Sequence, residues 1–118
     1  MLKGIIVDDA AIMRQRLRTI LMNDFDIIAE ASNGAEAFKM YSQFKPDFVT
    51  LDISMPEMNG LDALHNLISE FPDARIVIVS AVGQRQIVFD ALAMGAKDFI
   101  VKPFEPDRVL KSLKRLFE

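Results

Sequence analysis

The 118-residue chain contains no cysteine, one histidine and one tyrosine. Without cysteine it has no disulfide framework and no thiolate to act as nucleophile or metal ligand, which is compatible with a reducing compartment. His65 is the lone imidazole and has no second ligand beside it in the sequence. It reads as a residue on an exposed helix face, and its isolation argues against histidine-based catalysis. No apolar run approaches the roughly 20 residues that a membrane span needs, and no charged-then-apolar leader opens the chain. The net charge of -3 weighs against nucleic acid as a direct ligand, because phosphate backbones call for a basic face. The expectation is one soluble cytoplasmic domain spanning residues 1–118. With 51% hydrophobic residues such a domain hides roughly two-thirds of the surface its unfolded chain exposes.

Short apolar runs near 2–7, 26–30, 47–51, 75–79 and 98–101 are rich in Ile, Val and Phe and show little in/out alternation. Continuous runs of this kind suit strands covered on both faces, the condition of a parallel sheet. Between them lie stretches with helical spacing: Ile12, Met13, Leu17, Ile20 and Leu21; Leu61, Leu64, Leu67 and Ile68; Ile87, Val88, Ala91 and Leu92; and Val109, Leu110, Leu113, Leu116 and Phe117. The punctuation agrees. Asn33-Gly34 opens the second helix, and Pro46 closes it and steers Lys45 out of helical geometry. Gly95 stands where a left-handed cap belongs. Pro106 fits a first helical position, where its missing N–H costs nothing, with Glu105 a mediocre cap before it. The seven methionines read as including core positions such as Met13 and Met94. Strand–helix units in series predict an α/β, doubly wound fold, a parallel sheet with helices on both faces; the flavodoxin-like (βα)5 arrangement with five strands in the order 2-1-3-4-5 is borrowed from a common type of doubly wound sheet rather than read from the spacing.

The chemistry-bearing residues stand at the ends of four of those runs. Ile5-Ile6-Val7 leads into Asp8-Asp9, Phe48-Val49-Thr50-Leu51 into Asp52, Ile76-Val77-Ile78-Val79 into Ser80, and Phe99-Ile100-Val101 into Lys102-Pro103. In a doubly wound sheet, ligands sit beyond the carboxyl ends of the strands where strand order reverses. Parallel pairing therefore collects three carboxylates, a hydroxyl and an ammonium around one small volume. Two unit charges ~4 Å apart repel by about 4 kcal/mol at an effective dielectric of about 20, so three gathered carboxylates call for a cation. Oxygen donors of this kind suit Mg²⁺, which binds through one or two carboxylates, water and a phosphate oxygen.

These elements, in this order, are similar to the receiver domain of two-component response regulators: Asp8-Asp9, the segment Asp52-Ile53-Ser54-Met55-Pro56-Glu57-Met58-Asn59-Gly60, the pair Ser80-Ala81, and Lys102-Pro103-Phe104. Within the family, Ser80-Ala81-Val82-Gly83-Gln84 and the stretch from Gly95 to Phe104 most resemble single-domain chemotaxis regulators of the CheY type. The resemblance implies that Asp52 is the phosphoacceptor, and that Asp8, Asp9, Asp52 and the backbone carbonyl of Ser54 hold Mg²⁺. It also implies that Lys102, before a cis proline, contacts the phosphoryl oxygens, and that Ser80 bonds them through its hydroxyl. Phe99 takes the position of the switch aromatic. Blander roles stand beside these: Asp9 as a cap of the first helix, Lys102 as a solvated lysine, Phe99 as strand core. Ser54 and Val82, two residues past Asp52 and Ser80, fall where relatives shape water access.

The resemblance further implies assisted phosphorylation and dephosphorylation without turnover of an external substrate. The donor would be a histidine kinase or a small phosphodonor. A protein target, such as a flagellar motor switch, would read the face made by residues 84–94, the last strand and residues 105–117. Arg108, Lys111, Lys114 and Arg115 make that last helix basic, a run that equally suits a solvated helix C-terminus. Three alternatives stay open. A receiver portion of a longer transcriptional regulator fits the sequence as well as a free-standing regulator does. A metal-dependent aspartyl phosphatase needs a second acid two residues past the nucleophile, where Ser54 stands. A flavin or nucleotide module needs a phosphate-cradling glycine loop after the first strand, where Asp8-Asp9-Ala10-Ala11 stands.

Overall fold

A computed structural model describes residues 1–55 and 60–118; Pro56, Glu57, Met58 and Asn59 of the motif after Asp52 lie outside them. The chain runs β1 (Lys3–Val7), α1 (Ala11–Leu21), β2 (Asp26–Ala31), α2 (Gly34–Phe44), β3 (Phe48–Asp52), α3 (Gly60–Glu70), β4 (Ile76–Ala81), α4 (Arg85–Met94), β5 (Asp98–Lys102) and α5 (Pro106–Arg115). All strand pairs are parallel, as the alternation of elements implied, and the sheet order is β2-β1-β3-β4-β5, the flavodoxin-like order that was expected. Among the described residues no helix is long and apolar enough to cross a membrane.

Both faces of the sheet are covered, which explains the unbroken apolar runs. Ile5, Val7, Val49, Leu51, Ile76 and Ile78 pack with Ala37, Tyr41, Leu64, Leu67 and Ala91 of α2, α3 and α4. The alternate residues Ile6, Phe48, Val77, Val79 and Ile100 pack with Leu17, Leu21, Val109 and Leu113 of α1 and α5. Successive strand residues thus feed two separate apolar layers, and a one-residue slip would exchange them.

The helix ends follow their local chemistry. The Asn33 side chain accepts from Glu36 N–H at 2.9 Å and starts α2. Lys45 leaves that helix with φ 44°, in the left-handed region rather than the extended one the following proline favours. Gly95 ends α4 with φ 124°, and Pro106 opens α5 after Glu105, whose side chain makes no capping bond. One residue of the helical spacing lies outside the core, and one core expectation fails. Ile12 is 70% exposed, because α1 packs through the stripe Met13, Leu17, Ile20 and Leu21 and Ile12 lies beside it. Met94 is 39% exposed, because α4 buries only Val88 and Ala91 and ends at Met94.

Candidate functional site

Strand register brings the sequence-predicted residues together. Val7 pairs with Leu51, Asp52 with Val79, and Ser80 and Ala81 with Val101 and Lys102. Asp8, Asp52, Ser80 and Lys102 therefore end adjacent strands at one edge of the sheet. The edge is buried as well as crowded: Asp8 is 0% exposed, Asp52 2% and Ser80 1%. Gly60 contributes to this closeness. A Cβ there would lie 2.2 Å from the Ile53 Cα and 2.8 Å from the Asp52 carbonyl oxygen, so only glycine lets α3 start this close behind β3.

Asp8, Asp9 and Asp52 each offer a carboxylate oxygen within 4.8 Å of the others; among the described residues no other three potential ligands come together in this way. Lys102 Nζ lies 3.0 Å from Asp8 Oδ2 and 3.6 Å from Asp52 Oδ2, so it is a counter-ion inside the cluster rather than a solvated lysine. The Lys102–Pro103 peptide bond is cis. Asp8 is anchored further: its Oδ1 accepts from Ala10 N–H at 2.9 Å, and its carbonyl accepts from Arg14 Nη1 at 2.6 Å. Ala10 stands at the cap of α1, which has no side-chain capping bond, so neither Asp8 nor Asp9 caps that helix. Asp9 is exposed, with its carboxylate turned to the cluster.

Burial is the largest influence on Asp52 and pushes its carboxyl above the ordinary aspartate range. A hydrogen bond from Ser54 N–H to Asp52 Oδ1 at 3.0 Å opposes this, Asp8 adds repulsion, Lys102 offsets part of it, and Asp9 repels weakly. A charge held in such surroundings is poised to gain from any further cation.

The hydroxyl and the aromatic belong to the other side of the sheet. Ser80 continues the series Ile76, Ile78, and Phe99 is partly buried against that same apolar layer. Ser80 Oγ is buried with no hydrogen-bond partner among the described residues. Beside it lies a cleft of about 310 Å³, lined by Val88 and Phe89 of α4, Phe99 and Val101 of β5, and the 81–84 loop. Val82 and Phe89, 75% and 56% exposed, stand at its rim.

Two residues the sequence did not single out join the site. Arg14 props the Asp8 carbonyl while its Nε donates to Glu30 at 3.1 Å; an arginine one turn into a helix carries no signal of that task. Gln84 reaches back over the edge, accepting from Ala81 N–H at 2.7 Å and donating to the Ser54 hydroxyl. The basic run of α5 turns out to be largely paired. Arg108 and Arg115 lie 3.6 and 3.4 Å from Asp98, and Lys114 3.3 Å from Asp24. Among the described residues only Lys111 of that run has no such partner. His65 is exposed, as expected.

The family model of the response regulator receiver domain matches residues 5–114. The chemotaxis protein CheY of Listeria monocytogenes is 53% identical over 98% of this chain and 98% of its own length. That of Bacillus subtilis is 51% identical over 94% and 93%. Among solved structures, the CheX–CheY–BeF3–Mg²⁺ complex from Borrelia burgdorferi superposes with a TM-score of 0.94 at 38% identity, covering 99% of this chain and 90% of that one.

Proposed function

The chain belongs to the response regulator receiver domain family and is CheY-like, and from this we propose that Asp52 accepts a phosphoryl group in a Mg²⁺-dependent reaction that switches the face of α4, β5 and α5. The single observation that carries the reading is the convergence of Asp8, Asp9 and Asp52 within 4.8 Å, with Lys102 3.0 Å from Asp8 and 3.6 Å from Asp52. A receiver of this type is a signalling protein rather than a conventional enzyme.

Three carboxylates with no nitrogen or sulfur donor form a hard-oxygen set that fits Mg²⁺. Asp8, Asp9 and Asp52 would hold it, together with the Ser54 backbone carbonyl. When bound, the cation supplies charge neutralisation for the carboxylate and the incoming phosphate. In the transfer, an Asp52 carboxylate oxygen forms the new bond to phosphorus. The donor's bond to phosphorus breaks, and its electron pair leaves with the donor group. No proton has to leave Asp52, provided it is ionised, and the Ser54 N–H and the Lys102 ammonium favour that form. Catalysis of this kind is mostly positioning and charge stabilisation.

The phosphoryl group adds about -2 charges. Lys102 moves its attraction from the carboxylates to the phosphoryl oxygens, and the unpartnered Ser80 hydroxyl gains an acceptor. Only such differential contacts shift a conformational equilibrium. With Ser80 drawn towards the phosphate, the adjacent cleft has room for the Phe99 ring, and the α4–β5–α5 face changes shape. A histidine kinase or a small phosphodonor supplies the phosphate in the cytoplasm, and a chemotaxis target, with the flagellar motor switch as the candidate, reads the altered face.

The direct test is incubation with acetyl phosphate with and without Mg²⁺, followed by intact mass. A gain of one phosphoryl with Mg²⁺, absent without it and absent in Asp52→Asn, is expected. An unchanged mass in the wild-type protein with Mg²⁺ removes the reading.

A further inference from the structure

Gln84 immediately precedes α4 in the position of its cap, yet its side chain makes no capping bond to that helix. Both ends of its carboxamide are used elsewhere. Oε1 accepts from Ala81 N–H at 2.7 Å, and Nε2 donates to the Ser54 hydroxyl. Ser54 in turn holds Asp52 Oδ1 through its backbone N–H at 3.0 Å. A continuous chain of hydrogen bonds therefore runs from Asp52 through Ser54 and Gln84 to the end of β4.

Its placement follows from register. Asp52 pairs with Val79 on the neighbouring strand, so Ser54 and Ala81 each lie two residues further on, where the two loops leave the sheet. Adjacent strands run about 4.8 Å apart, a gap that one carboxamide spans. Between Ala81 and Gln84 stands Gly83, with φ 93°, a conformation that side-chain-bearing residues rarely adopt. The bridge is near the surface, where water could satisfy both partners. Holding a long flexible side chain for two partly exposed bonds leaves it close to balance, so it can open.

We propose that Gln84 is a latch over the phosphorylation site. In the unphosphorylated protein its carboxamide ties the loops after β3 and β4 together and occupies the Ala81 N–H. The latch must release for a phosphoryl group on Asp52 to bring its oxygens to that strand end. A phosphoryl oxygen is a charged acceptor and outcompetes a neutral carboxamide for the N–H. Gln84 is a positioning residue here: it touches neither the phosphorus nor the attacking oxygen, and it sets how readily the site admits its substrate. This inference rests on the assignment of Asp52 as phosphoacceptor.

The experiment combines amide NMR with phosphorylation kinetics on wild type, Gln84→Ala, Ser54→Ala and the double variant. In the metal-free proteins, loss of either partner should shift the Ala81 amide and, in Ser54→Ala, the Gln84 carboxamide signals. Adding beryllofluoride with Mg²⁺ to wild type should move the carboxamide signals to the position of a free glutamine side chain. With acetyl phosphate, Gln84→Ala should reach half-saturation at about two- to tenfold lower donor concentration, the range one marginal hydrogen bond spans, with its maximal rate within about twofold of wild type. Ser54→Ala should act in the same direction, and the double variant should add nothing further. Unmoved carboxamide signals on adding beryllofluoride, or a half-saturation in Gln84→Ala equal to wild type, overturn the latch. Wild-type protein that gains no phosphoryl at all overturns the Asp52 assignment instead; the metal-free spectra still report whether the bridge exists.

Discussion

The two sides of the strand ends are built on opposite plans. On the side continuous with the α1 and α5 layer, Asp8 and Asp52 are buried, and Lys102, the Ala10 and Ser54 N–H groups and Arg14 hold their carboxylates and the Asp8 main chain. On the side facing α4, Ser80 has a buried hydroxyl with no partner among the described residues, and an open cleft of about 310 Å³ lies beside it. The first side is costly to assemble and held in place; the second is left unsatisfied and has space. On the proposed function, a site that binds an ion and phosphate before anything moves needs the first. A fold that must answer with a shape change needs the second, because densely packed, fully bonded cores have no alternative arrangement.

Changes on the charged side should be the most severe. Asp52→Asn should abolish the phosphoryl gain seen by intact mass while leaving the circular dichroism spectrum unchanged. Lys102→Ala removes the ammonium from two buried carboxylates. Its metal-free form should lose about 2 kcal/mol in urea unfolding at neutral pH, a discounted value for a partly exposed pair. Millimolar Mg²⁺ should restore part of that loss, whereas a variant that is equally stable with EDTA and with Mg²⁺ would show that no ion shares the cluster. The open side should respond in the reverse sense. Ser80→Ala deletes an unpaired buried hydroxyl and should leave stability unchanged or raise it by up to about 1 kcal/mol. The same variant should lose the spectral change at Phe99 on adding beryllofluoride; destabilisation of Ser80→Ala by more than about 1 kcal/mol would mean that the hydroxyl is satisfied after all.

A smaller effect is expected at Asp98, which joins β5 to α5. Burial pushes its carboxyl up, but the Ser112 hydroxyl, the Phe99 N–H, Arg108 and Arg115 together outweigh burial and hold it below the ordinary range. A depressed carboxyl contributes stability that is present above the unfolded value of about 3.9 and is lost as pH falls through the folded value. Asp98→Asn should therefore cost about 1 kcal/mol or less near pH 7, with the gap to wild type closing in acid. Equal urea midpoints at pH 7 would remove Asp98 as a tie between β5 and α5.

Much of this was legible in the residues. Asp8, Asp52, Ser80 and Lys102 each follow an apolar run, and parallel pairing alone sends such positions to one edge. What stayed illegible depended on side-chain reach. Nothing local marks Gln84 as spanning two loops or Arg14 as supporting a carbonyl six residues back. The basic run of α5 looked like a free surface, yet Asp98 and Asp24, distant in sequence, neutralise most of it. Met94, read as core, ends α4 beyond its buried residues, and Ile12 shares the helical spacing of α1 but falls outside the buried stripe, because spacing fixes a stripe only to within a residue or so and the neighbouring layer decides its edges.

The parallel class of the sheet, its cover on both faces and the list of reactive groups were determined by the chain itself, because alternation of buried runs with helical spacing admits few parallel topologies. Tertiary structure alone decided which groups are satisfied: that Lys102 neutralises Asp8 and Asp52, that the Ser80 hydroxyl is left without a partner, and that Gln84 closes the gap between two loops. Hydrogen bonds and ion pairs depend on distances of a few tenths of an ångström between residues far apart in the chain, and only packing sets those distances.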